Sequence, residues 1–533
     1  MPENDPTRGA EHQAGYEAGG LEASGGRRLL PYGLLLALVL ATHVPLLGNF
    51  AGEPDSSRYV TGLYLWARGD RVNPLVYARS MSAGYYWLGT LLSTLTHCHV
   101  QSYPLMLSIL SLCATLLLAA TAYELSRRMI GNSAALLCTA LFAVSPAIWW
   151  MGIEPHPQAV SGALALGALC CFLRGAEVRN HVARRATRWL ALSAALLTAA
   201  LLIKIDAVLF FPAFFGLLLF RVRWGRECRG RLWRAGVVLC TATVAFLLLD
   251  AAILGGGLLQ AQRSTRERLV EFFVVPSAVE AVKQAVPVVM AVGPVLFVFA
   301  LAGIFLAMRG LRGEQRRRWL ILLACWCLPG WLFWFFIQGN NPRHVAISML
   351  GLLWIGTAGW VAACGRRIAM AAGWIAVLLN LVSVPANSSA SYLLSPNVPG
   401  SVKALRAKEE QIHSLAESLA QRGGSACFVG TYTIPYFLES LVQQNGDMSS
   451  AAAHLEMGQD GAESWIKSPK SPKSPAYSVA AIKVQPERRI TLPCSPAYSF
   501  EYSADGTKRR FMGSEVYSSP LWKRLTVATS GSE

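Results

Sequence analysis

Four short segments carry residue types able to do chemistry, and each lies between long apolar runs. The first reads Gly52-Glu53-Pro54-Asp55-Ser56-Ser57-Arg58-Tyr59. A carboxylate there can take a proton from a hydroxyl, and a guanidinium can hold a phosphate. The plain alternative is a solvated loop in which Asp55 or Ser56 caps a helix starting near Arg58. The second segment, Trp149-Trp150-Met151-Gly152-Ile153-Glu154-Pro155-His156-Pro157, sets Glu154 and His156 two apart, each followed by proline. Proline disfavours helix in the residue before it, so this stretch is held extended. It can present a carboxylate and an imidazole to one ion or substrate, or simply join two helices. The third is Lys204-Ile205-Asp206, charge in the middle of an apolar stretch. Ionisable groups at membrane depth face a cavity or each other, so Lys204 reads as a phosphate contact or as a self-paired hairpin tip. The fourth, Gln338-Gly339-Asn340-Asn341-Pro342-Arg343-His344, has Arg343 as its strong cation, beside His344. The loop 255–285 adds Arg263 and Arg266, three apart and on one face of a short helix, while Arg268 and Lys283 read as a solvated surface.

The elements that must position these groups follow from composition. The chain has 533 residues, 53% hydrophobic and only 15% charged, with a formal charge of +17; its mean hydropathy is +0.38. Charge is absent over stretches of about twenty residues, the length of a membrane crossing. That excludes a soluble globular enzyme, a coiled coil and a mostly disordered chain. The expected fold class is mainly α, a polytopic transmembrane helical bundle with a small extracytoplasmic α/β domain at its C-terminal end. Candidate spans are 29–48, 103–126, 133–150, 158–174, 189–203, 205–220, 235–254, 286–308, 319–337, 344–363 and 368–385, about eleven in all. Residues 83–96 are apolar but short and suit an interfacial or re-entrant helix. Residues 189–220 are flanked by arginines at both ends, so they should form a hairpin with arms of about 15–16 residues.

The basic surplus lies in short loops: Arg127-Arg128, 174–188, 221–234, 309–318 and Arg366-Arg367. This is the positive-inside pattern rather than a nucleic-acid surface. It puts the N-terminus in the cytoplasm and all four chemical segments on the opposite face. Their convergence there weighs more than any one of them. The 12 cysteines sit mostly in apolar runs and read as small buried hydrophobes, with no paired metal-ligand spacing.

Domain limits follow composition. Residues 1–26 read as a disordered cytoplasmic tail, 27–386 as the transmembrane module with its outer loop at 49–102, and 387–533 as the extracytoplasmic domain. In the last, an amphipathic helix is expected at 401–422, strands at 426–430, 477–484 and 498–502, and a helix at 433–444. A Lys-Ser-Pro repeat marks a disordered insert near 460–476. A disulfide between Cys427 and Cys494 is open, as are two free thiols.

The pattern resembles the GT-C superfamily of polytopic glycosyltransferases, in particular the bacterial lipid-A aminoarabinose-transferase and protein O-mannosyltransferase type. The residues that carry the likeness are Asp55-Ser56-Ser57-Arg58-Tyr59, Tyr85-Tyr86-Trp87-Leu88, Glu124-Leu125-Ser126-Arg127-Arg128 and Ser145-Pro146. It is good over about 50–220 and looser to 385. Asp55 stands alone where the superfamily commonly has Asp-Glu, and the Pro-Pro often found before the Tyr-Trp segment is missing. The resemblance implies transfer of a sugar from a polyprenyl-phosphate donor to a glycan, lipid or protein acceptor outside the cytoplasm of a bacterial inner membrane. It implies Asp55 as catalytic base, Arg58, Lys204, Arg263, Arg343 and His344 as substrate or phosphate contacts, and Glu154 and His156, with Asp55, as ligands of a divalent cation such as Mg or Mn. Two other readings stay open: a transporter or flippase of lipid-linked sugars, and a non-catalytic envelope assembly protein.

Overall fold

The computed structural model describes residues 25–48, 54–67, 83–99, 102–177, 183–221, 226–254, 289, 292–335 and 346–386, together with seven strands between 425 and 529. Residues 1–24 of the expected tail, the outer loop at 68–82, Arg263, Arg343, His344, the helices at 401–422 and 433–444 and Cys494 lie outside the described residues, while Gly25 and Gly26 belong to the first helix. The side chains of Asp55 and Arg58 also lie outside what is described.

The helices are α1 Gly25–His43, α2 Pro54–Ala67, α3 Ala83–Leu95, α4 Tyr103–Ile130, α5 Asn132–Ala143, α6 Pro146–Ile153, α7 Pro157–Glu177, α8 Ala183–Ile203, α9 Phe211–Arg221, α10 Arg226–Leu254, α11 Pro294–Gly310, α12 Gly313–Phe335 and α13 Met349–Ala386. Among the described residues, six are long and apolar enough to cross a membrane, or seven with one bent pair. The protein is therefore a multi-pass membrane protein.

Local chemistry accounts for where the helices stop. Gly131, at φ 81°, ends α4, a left-handed position that glycine takes without strain. The span expected at 133–150 is not one straight helix. It breaks into α5 and α6, bent by 64°, because Pro146 lacks the N–H that would continue the ladder. The spans expected at 344–363 and 368–385 are the two arms of α13, separated at Gly365 with φ 78°. The hairpin expected from 189 to 220 is present, but its first arm, α8, runs 21 residues and takes in Arg184, Arg185 and Arg188. Its tip, Ile205–Phe210, is a 3-10 turn. α2 starts at Pro54, not near Arg58. A proline fits the first helical position, so Asp55 and Ser56 lie in the first turn rather than capping it. On α3, Tyr85 and Tyr86 face inward, and Trp87, Leu91 and Leu95 face out at a four-residue spacing.

At one end of the bundle, a buried acid ties three helices. Glu124 on α4 accepts from Arg127 at 2.8 Å, Arg128 at 3.1 Å, Arg174 of α7 at 3.2 Å and the Tyr32 hydroxyl of α1 at 3.1 Å. Glu177 adds Arg128 at 2.7 Å and Arg221 of α9 at 3.1 Å. Elsewhere Trp326 and Trp354 pack at 4.7 Å, and the Trp354 indole donates to Ser126 Oγ at 2.6 Å.

α11 and α13 meet backbone to backbone. A Cβ on Gly359 would collide with the Gly303 carbonyl, and one on Gly356 would stand 3.0 Å from the Ala300 backbone. Small residues at such a crossing permit the close approach on which helix association in lipid depends. Gly359→Leu is expected to destabilise the protein by about 1–3 kcal/mol through overpacking. A lower melting temperature in detergent, with Gly310→Ala in open space as the neutral control, checks this.

The strands β1 Ser425–Thr431, β2 Ser449–Met457, β3 Glu463–Lys467, β4 Tyr477–Ile482, β5 Tyr498–Tyr502, β6 Lys508–Phe511 and β7 Lys523–Thr529 form one mixed sheet in the order β3-β2-β1-β4-β7-β5-β6. β1 is parallel to both β2 and β4, and the other pairs are antiparallel. A parallel pair needs a crossover of about a dozen residues, and 432–448 supplies one between β1 and β2. The strands expected at 426–430, 477–484 and 498–502 are present. β3 occupies part of the insert expected near 460–476, where the sequence reading gave disorder.

Candidate active site

The described parts of the first three chemical segments meet at the end of the bundle opposite the Glu124 cluster. On α4, Ser111 and Glu124 are thirteen residues apart, about 20 Å along the helix. α6 ends at Ile153, and Glu154 is its C-terminal cap, extended at φ −115° and ψ 160°. Pro155 enforces that extended turn, and Pro157 opens α7. The sequence expectation of a rigid, non-helical Glu-Pro-His-Pro joint holds.

Glu154 and His156 are both fully buried. The Ser56 hydroxyl of α2 donates to Glu154 Oε2 at 2.5 Å, tying the first segment to the second. His156 Nε2 lies 4.0 Å from the same oxygen, an ion-pair distance for a protonated ring and too long for a hydrogen bond. The His156 backbone N–H donates to Ser111 Oγ at 3.0 Å, which fixes the joint against α4. Tyr59 and Tyr85 pack edge to face at 5.7 Å, joining α2 to α3. Gly84 brings α3 onto the end of α8, where a Cβ would stand 2.7 Å from the Leu202 carbonyl. Asp55 is the neighbour of Ser56 in the first turn of α2.

Lys204, nearly buried, caps the 3-10 turn, and its Nζ lies 3.4 Å from Asp206 Oδ2. The self-paired tip is therefore real. The pair also lines a cleft with Gln158 and Ser161 from the start of α7, Trp326 from α12 and Ser348. Ser161 Oγ donates to the Ala200 carbonyl at 3.1 Å, fastening α7 to α8 beside the cleft. Ile347 and Ser348, in the cleft wall, follow Arg343 and His344 by a few residues in the chain.

Among the described residues, no group of three or more His, Cys, Asp or Glu is arranged to hold a metal ion. Glu154 and His156 offer two donors, fewer than Mg or Mn takes from its surroundings. The described part of the site thus does not by itself make a metal centre.

Sequence reasoning missed Ser111, Gln158, Ser161 and Ser348, and took Ser56 only as a cap. A signal existed on α4. Ser108, Ser111 and Thr115 are all buried, and their spacing marks one polar face on an otherwise apolar helix.

Residues 84–249 match the family model of dolichyl-phosphate-mannose-protein mannosyltransferases. A search of curated protein sequences finds no match. Among solved structures, apo ArnT from Cupriavidus metallidurans is similar with a TM-score of 0.55 and 13% identity, over 96% of this chain and 100% of that one. ArnT of the same organism bound to undecaprenyl phosphate gives 0.49 and 14%, over 86% of this chain and 94% of that one. The oligosaccharyltransferase of Archaeoglobus fulgidus in complex with Zn and sulfate gives 0.47 and 12%, over 90% of this chain and 72% of that one. The mannosyltransferase model covers residues 84–249, less than half of the chain, and the likeness to apo ArnT is one of fold.

Proposed function

We propose that the protein transfers a sugar from a polyprenyl-phosphate carrier to a glycan, lipid or protein acceptor at the outer face of a bacterial inner membrane. The observation that carries this reading is the Ser56–Glu154 bond, which unites the loop-one acid region with the buried Glu-Pro-His joint. The Lys204 cleft opens at the start of α7, the helix that follows this joint. The matched family is named for a dolichyl-phosphate sugar, which supports the donor class. The arginine-rich end of the bundle is cytoplasmic by the positive-inside rule, which turns the site outward.

Asp55 takes the proton of the acceptor hydroxyl as its oxygen attacks the anomeric carbon. The bond between the anomeric carbon and the phosphate oxygen breaks, and the phosphate leaves with that oxygen, its charge met by Lys204 and Arg343. Arg58, Arg263 and His344 supply further contacts to the phosphate and sugar. Nucleophile and leaving group occupy opposite faces, so one displacement inverts the anomeric configuration. Glu154 and His156, with Asp55, are the residues a divalent cation would use.

The test is transfer in nanodiscs from a panel of radiolabelled polyprenyl-phosphate sugars to a membrane extract, with and without EDTA. Product of inverted configuration is expected, and a retained anomer would refute single displacement. EDTA-resistant transfer would remove the metal role from Glu154 and His156. Lys204→Met is expected to raise the donor KM about 10-fold or more, the loss of a charge-assisted contact. An unchanged KM would leave Lys204 as the partner of Asp206 alone. Lipid-linked sugar that crosses the membrane without transfer to any acceptor would favour the transporter.

A further inference from the structure

We propose that His43, at the end of α1, is a positioning residue that sets the catalytic joint by fixing the rotation of α6. The inference rests on the glycosyltransferase reading of Asp55 and Glu154.

α1 carries no charged residue between Leu29 and Thr42, and His43 at its end is fully buried. Its Nδ1 lies 2.8 Å from the Val39 carbonyl and 2.9 Å from Thr42 Oγ1. A carbonyl only accepts, so Nδ1 carries the proton and the ring is held in one orientation. That ring packs edge-on to Trp149 of α6 at 6.3 Å. The Trp149 indole N–H donates to the Thr42 carbonyl at 2.8 Å. One turn further, Gly152 presses on the imidazole. A Cβ there would collide with His43 Cδ2 and stand 2.7 Å from Nε2.

α6 depends on side contacts, which it makes with α4 as well as with the end of α1. It is one short helix of 8 residues, cut from α5 by the 64° break at Pro146 and from α7 by Pro155 and Pro157. With both ends broken, its rotation is set by side contacts. Trp149 and Gly152 touch the end of α1, and Glu154 follows Gly152 by two residues. Turning α6 about its axis swings Glu154 away from Ser56 and so disturbs the turn of α2 that bears Asp55. A displacement near 1 Å at a reacting group costs about a hundredfold in rate. A histidine that merely filled space would not bear on that geometry.

The experiment uses full-length protein in nanodiscs and four variants: His43→Asn, His43→Ala, Gly152→Ala and the double His43→Ala/Gly152→Ala. Asn retains a donor near the Nδ1 position for the Val39 carbonyl and removes the ring. Ala removes both. Transfer kinetics, melting temperature and hydrogen–deuterium exchange over 149–157 are read on each. Gly152→Ala and His43→Ala are expected to lower kcat about tenfold to a hundredfold, with donor KM within about twofold and exchange at 153–156 raised. The double variant, where the cavity receives the new methyl, is expected to recover much of the Gly152→Ala loss. His43→Asn is expected to match His43→Ala if the ring is the operative part. Equal kcat and exchange in the single variants would overturn the proposal, as would losses that simply multiply in the double. Should the wild type transfer no sugar, the activity reading fails by itself. Exchange then decides the positioning claim: raised exchange supports it and unchanged exchange overturns it.

Discussion

Asp55→Asn is expected to lower kcat by about 10²–10⁴-fold, the span attributable to one general base, with expression and melting temperature unchanged. Asn is nearly isosteric and stays helix-compatible in a first turn, so the fold has little reason to respond. The position suits an ionised base. Asp55 is the second residue of α2, and the positive end of a helix dipole favours a carboxylate there. Its neighbour Ser56 is anchored on Glu154, so the turn that carries Asp55 does not drift. Initial rates at saturating donor, beside a thermal melt of the same sample, decide the matter. Full activity in the variant would move the base elsewhere, and a scaffold would tolerate the change without effect.

Glu154→Gln is expected to lower kcat about 10-fold to 100-fold, and Glu154→Ala to cost stability as well. Gln keeps an oxygen for the Ser56 hydroxyl but surrenders the charge facing His156. Hydrogen bonds to charged groups contribute about 1.5–3 kcal/mol, which sets the range. Ala leaves the buried Ser56 hydroxyl without its acceptor at a cost of about 1–3 kcal/mol. The pair of variants separates charge from scaffolding. A Gln variant as fast as wild type, joined to an Ala variant as stable, would strip Glu154 of both roles. If transfer is EDTA-sensitive, Glu154→Gln should also raise the metal concentration needed for half-maximal rate.

Local chemistry carried the sequence reading furthest. Apolar stretches of crossing length placed α4, α7 and α10. Two prolines foretold the extended joint at Glu154, and charge at Lys204 foretold the hairpin tip. Breaks were harder. Ser145-Pro146 was visible, yet the run around it was apolar enough to read as one span, because hydropathy is insensitive to a lost backbone hydrogen bond. The start of α2 was misplaced since Pro54 fits a loop and a first helical position equally well. The Ser56–Glu154 contact spans ninety-eight positions of chain. No periodicity encodes such a pairing; it exists only once α2, α4 and α6 have packed. The same holds for Ser161 on the Ala200 carbonyl.

The carboxylate of Glu124 has a history set by the order in which its partners are made. A lone acid entering a bilayer as part of α4 faces a penalty of about 2.5–3.5 kcal/mol near the helix centre. Arg127 and Arg128 follow it within a turn and leave the ribosome almost with it, so the insertion machinery receives the acid already neutralised. Tyr32 is in place beforehand, whereas Arg174 arrives some fifty residues later. Arg128 then also reaches Glu177, which Arg221 of α9 joins later still. The nascent chain thus carries a local clasp that is enlarged as each later hairpin docks.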